Sequence, residues 1–481
     1  MRIFKVALLL LVVLITLLVL PIVALGTYYV FTPAALSSEA ASLDARAKLL
    51  PKITENGYRL YGILAPADIA PEQYGKCRFN AYEQQRTENN SAIKTIPPKT
   101  DEAAYKTYLD QYNKRSALLM ASCLRGGIAI TLPKTEAQAR IRVGTTPQQW
   151  ALLAAATPDE VLIKRAETIW ADGPRRLGAA ADSPTAELLP LIQMERWRIA
   201  QARQKWQMGA RADALKDWDR SVADWMKSAD YTLVDAMVSA ALFTQIQLAM
   251  QDSFARTNRV DDALAQTAIA ALARVDALPV AIGESLLSEW QLGAGLARSM
   301  TTELMQPWKS NVKLPAPFAK VVEYWTRYTY DLNDTLNHMA RHFAADKAST
   351  EAAARGERLA DPLPPTACQS KGEWALACIV VSRNIGGRMF VAMGSPTYSH
   401  YGVRIADVRN LAAATRLTVE ARRRALVGNA LAQFVASAPD GMRDVFTHKA
   451  FAYDASKRQL RIELRGKNTV LGEPGPYFLT L

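Results

Sequence analysis

Histidine and cysteine are both scarce in this chain, which contains only four of each among its 481 residues. The cysteines are Cys77, Cys123, Cys368 and Cys378. No two of them have the Cys-x-x-Cys spacing that is typical of structural zinc sites. The sequence therefore predicts neither a zinc domain nor any other cofactor.

Complete nucleophile motifs are also missing. Ser91 and Lys94 match the Ser-x-x-Lys pair of penicillin-binding proteins, but they lie in a polar stretch and the chain contains no Lys-Thr-Gly. Ser395 lacks the Gly-x-Ser-x-Gly frame that places a nucleophile on a strand-to-helix elbow. The sequence therefore predicts neither of these acyl-transfer mechanisms.

Only one long uncharged apolar run is present, at the start of the sequence. Val6 to Val30 comprises 25 residues, and a helix of that length exceeds the roughly 30 Å hydrocarbon core of a bilayer. The stretch 236–250 is also rich in apolar residues, but polar side chains interrupt it and it is too short to span. We therefore predict one transmembrane helix within residues 1–32.

The charges beside this run predict its orientation. Arg2 and Lys5 precede it, so the positive-inside rule keeps the N-terminus cytoplasmic and sends the remaining chain across the membrane. A cleaved signal peptide is the alternative, because small residues precede a possible cleavage site at Thr27. The apolar part is longer than a typical signal sequence, which favours a retained anchor.

An exported body would place the cysteines in an oxidising compartment, and their even number permits complete pairing. Three connectivities are open. Because two cysteines are early and two are late, we predict the disulfides Cys77–Cys123 and Cys368–Cys378. The first would close a long loop and stabilise the fold by about 4 kcal/mol on the loop-entropy account.

The net charge of +12 is concentrated near the end of the chain. From residue 383 onward there are 15 basic and 7 acidic residues. In an exported protein this excess predicts anionic lipid headgroups or an acidic polymer as partners, and not nucleic acid. A solubilising surface is the simpler alternative, because no aromatic residues are interleaved with the basic ones.

From residue 146 onward the pattern predicts a mainly α fold. Thr146-Pro147 and Thr157-Pro158 each begin a capping box with proline at the first helical position. The predicted helices that follow span 184–208, 210–228, 231–256, 260–275 and 280–306. Trp206, Gly209 and Trp218 resemble a tetratricopeptide hairpin, but no regular period accompanies them. We predict an α-solenoid-like array of antiparallel hairpins, with the tryptophans as core wedges.

Four sequential segments are predicted. They are a cytoplasmic stub with the anchor over 1–32, a membrane-proximal segment over 33–145, a helical-repeat-like domain over 146–361 and a basic C-terminal domain over 362–481. Within the second segment, residues 56–66 predict an extended strand-like piece and residues 78–99 a polar surface loop.

The last part of the chain predicts a linker, a helix and a small sheet. A charged, alanine-rich stretch over 346–361 and the proline-rich residues 362–365 together predict the linker. A long helix follows over 402–436, with Arg416, Glu420 and Arg423 pairing along its exposed face. Residues 449–453 and 459–464 predict a C-terminal β-hairpin, to which 477–481 can add a third strand.

Four short motifs resemble an uncharacterised group of proteobacterial single-pass, membrane-anchored proteins with an α-helical periplasmic region. The motifs are Asn-Gly-Tyr with Tyr-Gly and Ala-Pro at 56–66, Asp-Leu-Asn-Asp-Thr-Leu-Asn at 331–337, Arg-Asn with Gly at 383–387, and Asp-Val-Phe-Thr-His-Lys at 444–449. The resemblance implies an inner-membrane address and a periplasmic body. It implies no site residues, because no activity is established for that group.

Two sets of residues match a catalytic or metal site in part. Asp334, His338 and His342 are spaced by one helical turn, as metal ligands can be, but Met339 stands where a metalloprotease has its glutamate. Structural histidines bonded to Asp334 or to backbone are the alternative.

Glu284 is followed by Gly-Ala-Gly-Leu at 293–296 and Leu-Met-Gln at 304–306, which together resemble lytic transglycosylases with the glutamate as acid and base. In that family the glycine-leucine and methionine-glutamine parts are contiguous. The alternative is that Glu284 lies near the positive end of a scaffold helix.

We therefore predict a membrane-anchored periplasmic scaffold that holds a protein partner in the bacterial cell envelope. A peptidoglycan-acting enzyme that uses Glu284 is the alternative from a different functional class.

Overall fold

The computed structural model describes residues 34–49, 55–92, 147–156, 158, 160–172, 188–305, 330–357, 384–394, 398–467 and 470–481, with isolated helical positions between 103 and 114. The predicted transmembrane helix lies outside the described residues. Cys123, Cys368 and Cys378 do as well, so both predicted disulfides stay predictions.

Two compact units make up the chain, and both are discontinuous in sequence. The first contains Met1–Leu49, Trp290–Asp346 and Asp361–Thr397, and the second contains Leu50–Glu289, Lys347–Ala360 and Tyr398–Leu481. The four sequential segments stay a prediction.

Helices account for most of the described chain. They are α1 (Ser38–Lys48), α2 (Glu55–Tyr61), α3 (Pro71–Ala92), α4 (Pro147–Ala154), α5 (Glu160–Asp172), α6 (Leu188–Gln207), α7 (Arg211–Met226), α8 (Leu233–Ala255), α9 (Asp262–Ala273), α10 (Leu278–Met305), α11 (Leu332–Arg355), α12 (Ile385–Gly394), α13 (Ser399–Arg423) and α14 (Gly428–Ala436). The strands β1 (Ala452–Asp454), β2 (Gln459–Leu464) and β3 (Gly475–Thr480) form an antiparallel sheet in the order β1-β2-β3. The mainly α class and the small C-terminal sheet are confirmed.

Side-chain caps explain why several helices begin where the sequence predicts. Pro147 opens α4, as expected for proline at a first helical position. Thr232 accepts a hydrogen bond from the Asp235 amide at 3.1 Å at the start of α8. Asp261 does the same for the Leu264 amide at 2.8 Å before α9.

Helices α6 and α7 form the predicted antiparallel hairpin. The rings of Trp206 and Trp218 lie 6.0 Å apart between their centroids, and Gly209 turns the chain with a φ of 93° that favours glycine. Buried tryptophans of the described chain are Trp150, Trp170, Trp206, Trp218, Trp225 and Trp290. These six tryptophans are core residues, as predicted, whereas Trp197 is only partly buried and repetition into a solenoid stays a prediction.

Helix α8 is long and apolar enough to cross a membrane, yet 78% of its most apolar window is buried inside the fold. The stretch Asp262–Met300 meets the same test with 50% burial, and only the described residues were tested. Buried core helices also meet it, so these two stretches are weak support for membrane association. The prediction that 236–250 is too short to span is wrong on length, because the helix has 23 residues.

Helices α13 and α14 pack with the sheet around one core. Leu417 and Leu431 on the helices and Leu460 and Leu479 on the strands are all buried there. The prediction of one helix over 402–436 is wrong. The chain turns after α13, with φ of 51° at Ala425 and 57° at Gly428, and α14 then begins in a new direction.

Two segments predicted as irregular are helical. The polar stretch 78–99 lies largely in α3, and the first half of 56–66 lies in α2. A Cβ on Gly62 would lie 1.8 Å from the Pro71 carbonyl oxygen, so this glycine permits the close approach of α2 and α3. The alternation of bulky residues therefore reflects one packed helical face and a turn, and not a strand.

The predicted linker over 346–365 is also wrong for its described part, residues 346–357, and its remainder lies outside the described residues. Helix α11 continues to Arg355, and Thr350, Ala353 and Ala354 are buried. A Cβ on Gly402 would lie 2.3 Å from the Thr350 carbonyl oxygen. The alanine-rich composition therefore provides a smooth helical surface for close packing against α13.

Candidate functional site

Glu284 lies on α10 and forms an ion pair at the surface. Its Oε1 accepts a hydrogen bond from Lys347 Nζ at 2.6 Å, and 42% of its side chain is exposed. The same ammonium lies 3.7 Å from Glu351. An opposite charge favours the ionised carboxylate, whereas a glycosidase acid must hold a proton.

The surroundings of Glu284 differ from both sequence-based alternatives. Because α10 begins at Leu278, Glu284 lies beyond the first turn, where the helix dipole has little effect. Gln306 lies outside the described residues, as do the side chains of Leu304 and Met305. The described contacts therefore place Glu284 in a structural ion pair with a lysine.

Asp334, His338 and His342 do lie on one face of α11, as their spacing predicts. His338 Nε2 lies 3.8 Å from Asp334 Oδ2. Arg341 Nη2 lies 2.9 Å from His338 Nδ1, and a guanidinium can only donate, so this ring nitrogen accepts. Within the described ranges no group of three or more His, Cys, Asp or Glu residues is arranged to hold a metal ion.

This row of titratable residues continues one turn further, to Asp346. Burial lowers the pKa of His338, an effect that Asp334 opposes and that Arg341 and Arg388 reinforce. Burial and Arg341 lower the pKa of His342. Burial raises the pKa of Asp346 to about 6. The histidines are thus poised as neutral side chains next to cations.

Asn384 is the centre of a buried polar junction in the first unit. Its Oδ1 accepts from the Asp331 amide at 2.8 Å and from the Gly387 amide at 3.2 Å. Its Nδ2 donates to Asp334 Oδ2 at 2.9 Å and to Thr335 Oγ1 at 3.0 Å. Asn384 is fully buried and has a φ of 59°, a left-handed conformation that asparagine tolerates. This junction fixes the start of α11 to the start of α12.

The same end of α11 also holds the residues that precede α1. The Ala34 amide donates to Asp331 Oδ2 at 3.0 Å, and Asn333 Nδ2 donates to the Ala34 carbonyl at 2.8 Å. The Ser37 amide donates to Asn337 Oδ1 at 2.7 Å. We call residues 34–37 together with these three acceptor and donor side chains the entry clamp. Backbone donors and acceptors are thus paired directly after the apolar run.

Helix α1 is held further along its length by Asp44. Its Oδ1 accepts from Trp290 Nε1 at 3.2 Å, and its Oδ2 is paired with Arg298. Because Trp290 is buried, the indole hydrogen bond is shielded from competing water. The entry clamp and Asp44 therefore attach α1 to the first unit at both ends.

A second buried polar cluster lies beside the C-terminal sheet. Asp407 is fully buried and accepts from the amides of Arg465 at 2.9 Å and Gly466 at 2.7 Å. Asn410 donates to Asp444 Oδ2 at 3.0 Å. Burial raises the pKa of Asp407 to about 6, with Asp444 adding to the rise and the two amides opposing it. The cluster fixes the loop after β2 to α13.

Arg165 holds the turn that follows α2. Its guanidinium donates to the carbonyls of Ile63 at 3.2 Å, Pro66 at 2.7 Å and Ile69 at 3.1 Å, and also to that of Ala65. A planar guanidinium suits such a fork of acceptors. The segment 56–66 does therefore dock on a neighbouring element, but through its carbonyls and not as a strand.

The basic C-terminal helix is a core element and not an exposed one. Arg416 is buried and pairs with Asp276 at 2.6 Å. The predicted pairing of Glu420 with Arg423 is present at 2.6 Å, but Glu420 is also buried. The prediction of an exposed face is wrong, because α13 packs against α8 and α9, and Arg416 and Glu420 are both buried.

Sequence reasoning missed Asp407, Arg165 and Asn384 as single residues. Three of the motifs that carry the resemblance nevertheless contain or contact two of these residues: 56–66 contacts Arg165, 331–337 contacts Asn384, and 383–387 contains it. The fourth motif, 444–449, contacts Asn410 instead. Polar residues set between apolar neighbours were the available signal.

No family model matches this chain, and no match was found among curated proteins or solved structures.

Proposed function

We propose that this protein is a single-pass anchored scaffold of the bacterial inner membrane, with its body in the periplasm, where it holds a protein partner of the cell envelope. The sequence supports the address through the apolar run and the basic residues that precede it. The resemblance to membrane-anchored proteobacterial proteins supports the same proposal.

The entry clamp is the observation that carries this proposal. Residues 34–37 follow the apolar run almost immediately, and the side chains of Asp331, Asn333 and Asn337 pair with their backbone. A flexible tether needs no such pairing. Because the entry clamp lies directly after the proposed transmembrane helix, it would hold the first unit close to the membrane surface.

The buried state of α8 supports a single crossing. Gln251 on α8 donates to Thr415 Oγ1 at 2.8 Å and accepts from the Tyr477 hydroxyl at 3.2 Å. The side-chain amide of Gln251 is thus paired inside the second unit. In the proposed topology α8 is a core helix of the exported body, and only the N-terminal run enters the bilayer.

The alternative of a peptidoglycan-acting enzyme stays a prediction, and no described contact favours it. Glu284 Oε1 accepts from Lys347 Nζ at 2.6 Å, whereas a glycosidase acid must present its carboxyl to the leaving group. Incubation of the protein with purified murein sacculi over a range of pH tests it. Release of soluble fragments that is lost in Glu284→Gln would favour the enzyme.

Topology and processing together test the anchored scaffold. A reporter that is active only in the periplasm is fused after Leu481, and the mature N-terminus and membrane partition are determined. We expect an intact N-terminus, retention in the membrane and an active reporter. Cleavage before Thr27 with release of the product would overturn the anchor.

A second arm tests the clamp. Asn337→Ala removes the acceptor for the Ser37 amide, and Asn333→Ala removes the donor to the Ala34 carbonyl. We expect limited proteolysis of membrane-embedded protein to cut between the anchor and α1 faster in the double variant than in wild type. Equal cleavage rates would contradict a stiff mount while leaving the address intact.

A further inference from the structure

The outer edge of β3 is unpaired among the residues that the structure describes. In the sheet order β1-β2-β3, β3 pairs only with β2. The Leu481 amide donates to the Arg458 carbonyl at 2.8 Å. Because hydrogen-bonded pairs alternate along an antiparallel ladder, Tyr477 and Leu479 also direct their backbone groups toward β2. Pro476, Phe478 and Thr480 therefore direct theirs away from the sheet.

This edge is both accessible and preformed. The side chain of Phe478 is 54% exposed, whereas Leu479 and Leu481 on the other face are buried in the core. The Tyr477 hydroxyl donates to Gln251 on α8 at 3.2 Å. The strand is thus held by its inner face while its outer backbone groups stay open, so little ordering is needed before another strand can pair with it.

Proline protects only one end of the edge. Pro476 has no N–H and therefore blunts the first outward position, a common protection against unwanted pairing. The N–H groups of Phe478 and Thr480 are left for a partner, together with the three outward carbonyls. A partner strand can therefore bind in a register that is restricted at one end.

The charge around the edge selects the kind of partner. From Lys449 to Leu481 there are six basic and three acidic residues. The acidic ones are engaged locally: Glu463 lies 2.6 Å from Arg461, Glu473 lies 2.6 Å from Lys467, and Asp454 accepts from Ser456. The same pairs engage Arg461 and Lys467, so the charge left for an incoming segment is that of Lys457 and Arg458. These two residues precede β2 beside the C-terminal end of β3, where the Arg458 carbonyl accepts from the Leu481 amide. Their positive charge disfavours a second copy of the same surface.

We propose that β3 binds an extended, acidic segment of a partner protein by strand addition, with main-chain hydrogen bonds to Phe478 and Thr480 and an apolar partner side chain against the Phe478 ring. In such complexes the main chain supplies affinity and alternate side chains supply specificity. The proposal rests on the proposed scaffold function, because it names the surface and the chemistry through which the partner is held.

The test uses the purified full-length chain in detergent and a fluorescent peptide of alternating glutamate and valine, equal in length to β3. Fluorescence anisotropy measures its dissociation constant. The matched probe replaces every glutamate with lysine. We expect the acidic peptide to bind at least about tenfold more tightly than the basic one, and raised salt to weaken it. Equal binding of both peptides would overturn the proposal.

Two variants at one position separate strand addition from mere charge attraction. Thr480→Pro removes an outward N–H and leaves the bonds to β2 intact, whereas Thr480→Ala keeps that N–H. We expect Thr480→Pro to weaken binding of the acidic peptide about tenfold and Thr480→Ala to bind like wild type. No difference between the two variants would overturn strand addition. If Thr480→Pro fails to fold by circular dichroism, an acidic peptide whose backbone amides are N-methylated replaces the variant, because it keeps the charge and cannot donate to the edge; equal binding of the methylated and unmethylated peptides would overturn strand addition.

Sedimentation of the same sample distinguishes the competing occupant. Dimers of wild type that disappear in Thr480→Pro would show that a second copy occupies the edge, and would overturn the acidic partner. Peptide binding in detergent does not depend on topology. If the peptide does not bind but the protein has the expected membrane topology, only the strand-addition proposal is overturned. If the peptide binds but the anchor is cleaved, strand addition is supported and the anchored scaffold function is overturned.

Discussion

Glu284 and Asp407 are both carboxylates on long helices, but the first is partly exposed to solvent and the second is fully buried. The first belongs to a motif that resembles a catalytic one, yet it lies at the surface with 42% of its side chain exposed and pairs with Lys347. The second belongs to no motif, yet it is fully buried and holds the amides of Arg465 and Gly466.

The contribution of a polar side chain to the stability of this fold therefore depends on whether it is buried. A surface ion pair gains little, because water and salt screen it. A buried acceptor that pairs backbone amides has no substitute, because its removal leaves donors without partners in a medium of low polarity. We expect substitution to reduce the free energy of unfolding most at Asp407, less at Asn384 and least at Glu284.

Removal of the buried carboxylate should have the largest effect. Asp407→Ala leaves the amides of Arg465 and Gly466 without their acceptor, and each unsatisfied buried donor costs roughly 1–3 kcal/mol. We expect the free energy of unfolding to fall by about 4 kcal/mol at about pH 4, where this carboxyl stabilises the fold most, measured by urea denaturation. A loss below about 1 kcal/mol, the size expected for a surface pair, would break the comparison.

The same carboxyl should make stability depend on pH. Burial raises the pKa of Asp407 to about 6 in the folded protein, against about 3.9 in an unfolded chain. The folded state therefore holds this proton more tightly, and its stabilising effect is complete below about pH 4 and lost as pH rises through about 6. We expect the free energy of unfolding to fall by about 3 kcal/mol across this range.

Asp407→Asn is the control for that slope, because it cannot ionise. Asp346, whose pKa burial also raises, contributes a slope of the same sign, and His338 and His342 contribute the opposite sign because their pKa values are lowered. These groups are present in both proteins and cancel in the difference. Parallel stability curves for wild type and Asp407→Asn would contradict the assignment.

Asn384 sharpens the comparison, because it is a buried polar group without charge. Asn384→Ala removes the acceptor for the Asp331 amide and leaves a left-handed residue with a Cβ. We expect a loss of about 2 kcal/mol, from the lost hydrogen bonds and the strained backbone. Asn384→Gly should lose about 1 kcal/mol less, since glycine accepts this φ. Equal losses in thermal or urea unfolding would remove strain from the account.

The smallest effect should be found at Glu284. Glu284→Gln breaks the surface ion pair with Lys347, and we expect a change in the free energy of unfolding below about 1 kcal/mol. A double-mutant cycle with Lys347→Met should give a coupling energy that decreases with added salt. A large coupling energy between Glu284 and Lys347 that added salt does not change would show that this pair behaves like a buried polar contact.

Much of the helical fold could be predicted, because its signals are local. Thr232 and Asp261 cap α8 and α9 where the side-chain pattern predicts a start, and the small and aromatic residues around Gly209 predict a hairpin. The β-hairpin could be predicted because the apolar residues near the C-terminus change from a helical period to strict alternation. Each of these features depends on neighbours within a few residues, which is what a sequence displays.

The candidate sites were harder to predict, because they depend on contacts between distant residues. Arg165 holds carbonyls about a hundred positions away in sequence, and Arg416 is buried by pairing with Asp276. Read along one helix, Arg416 and Glu420 resemble a solvated face. Tertiary packing buries α13 on almost every side, so it covers the face that the sequence pattern predicted to be exposed.

The apolar N-terminal run, the excess of positive charge, the helical class and the small C-terminal sheet could all be predicted, because each follows from composition or local periodicity. Four other features depend on tertiary packing: α8 is a core helix, Glu284 lies in a surface ion pair, Asp407 is buried, and the outer edge of β3 pairs with no described strand. Burial and pairing are properties of a polar group's surroundings, and those surroundings come from parts of the chain far away in sequence.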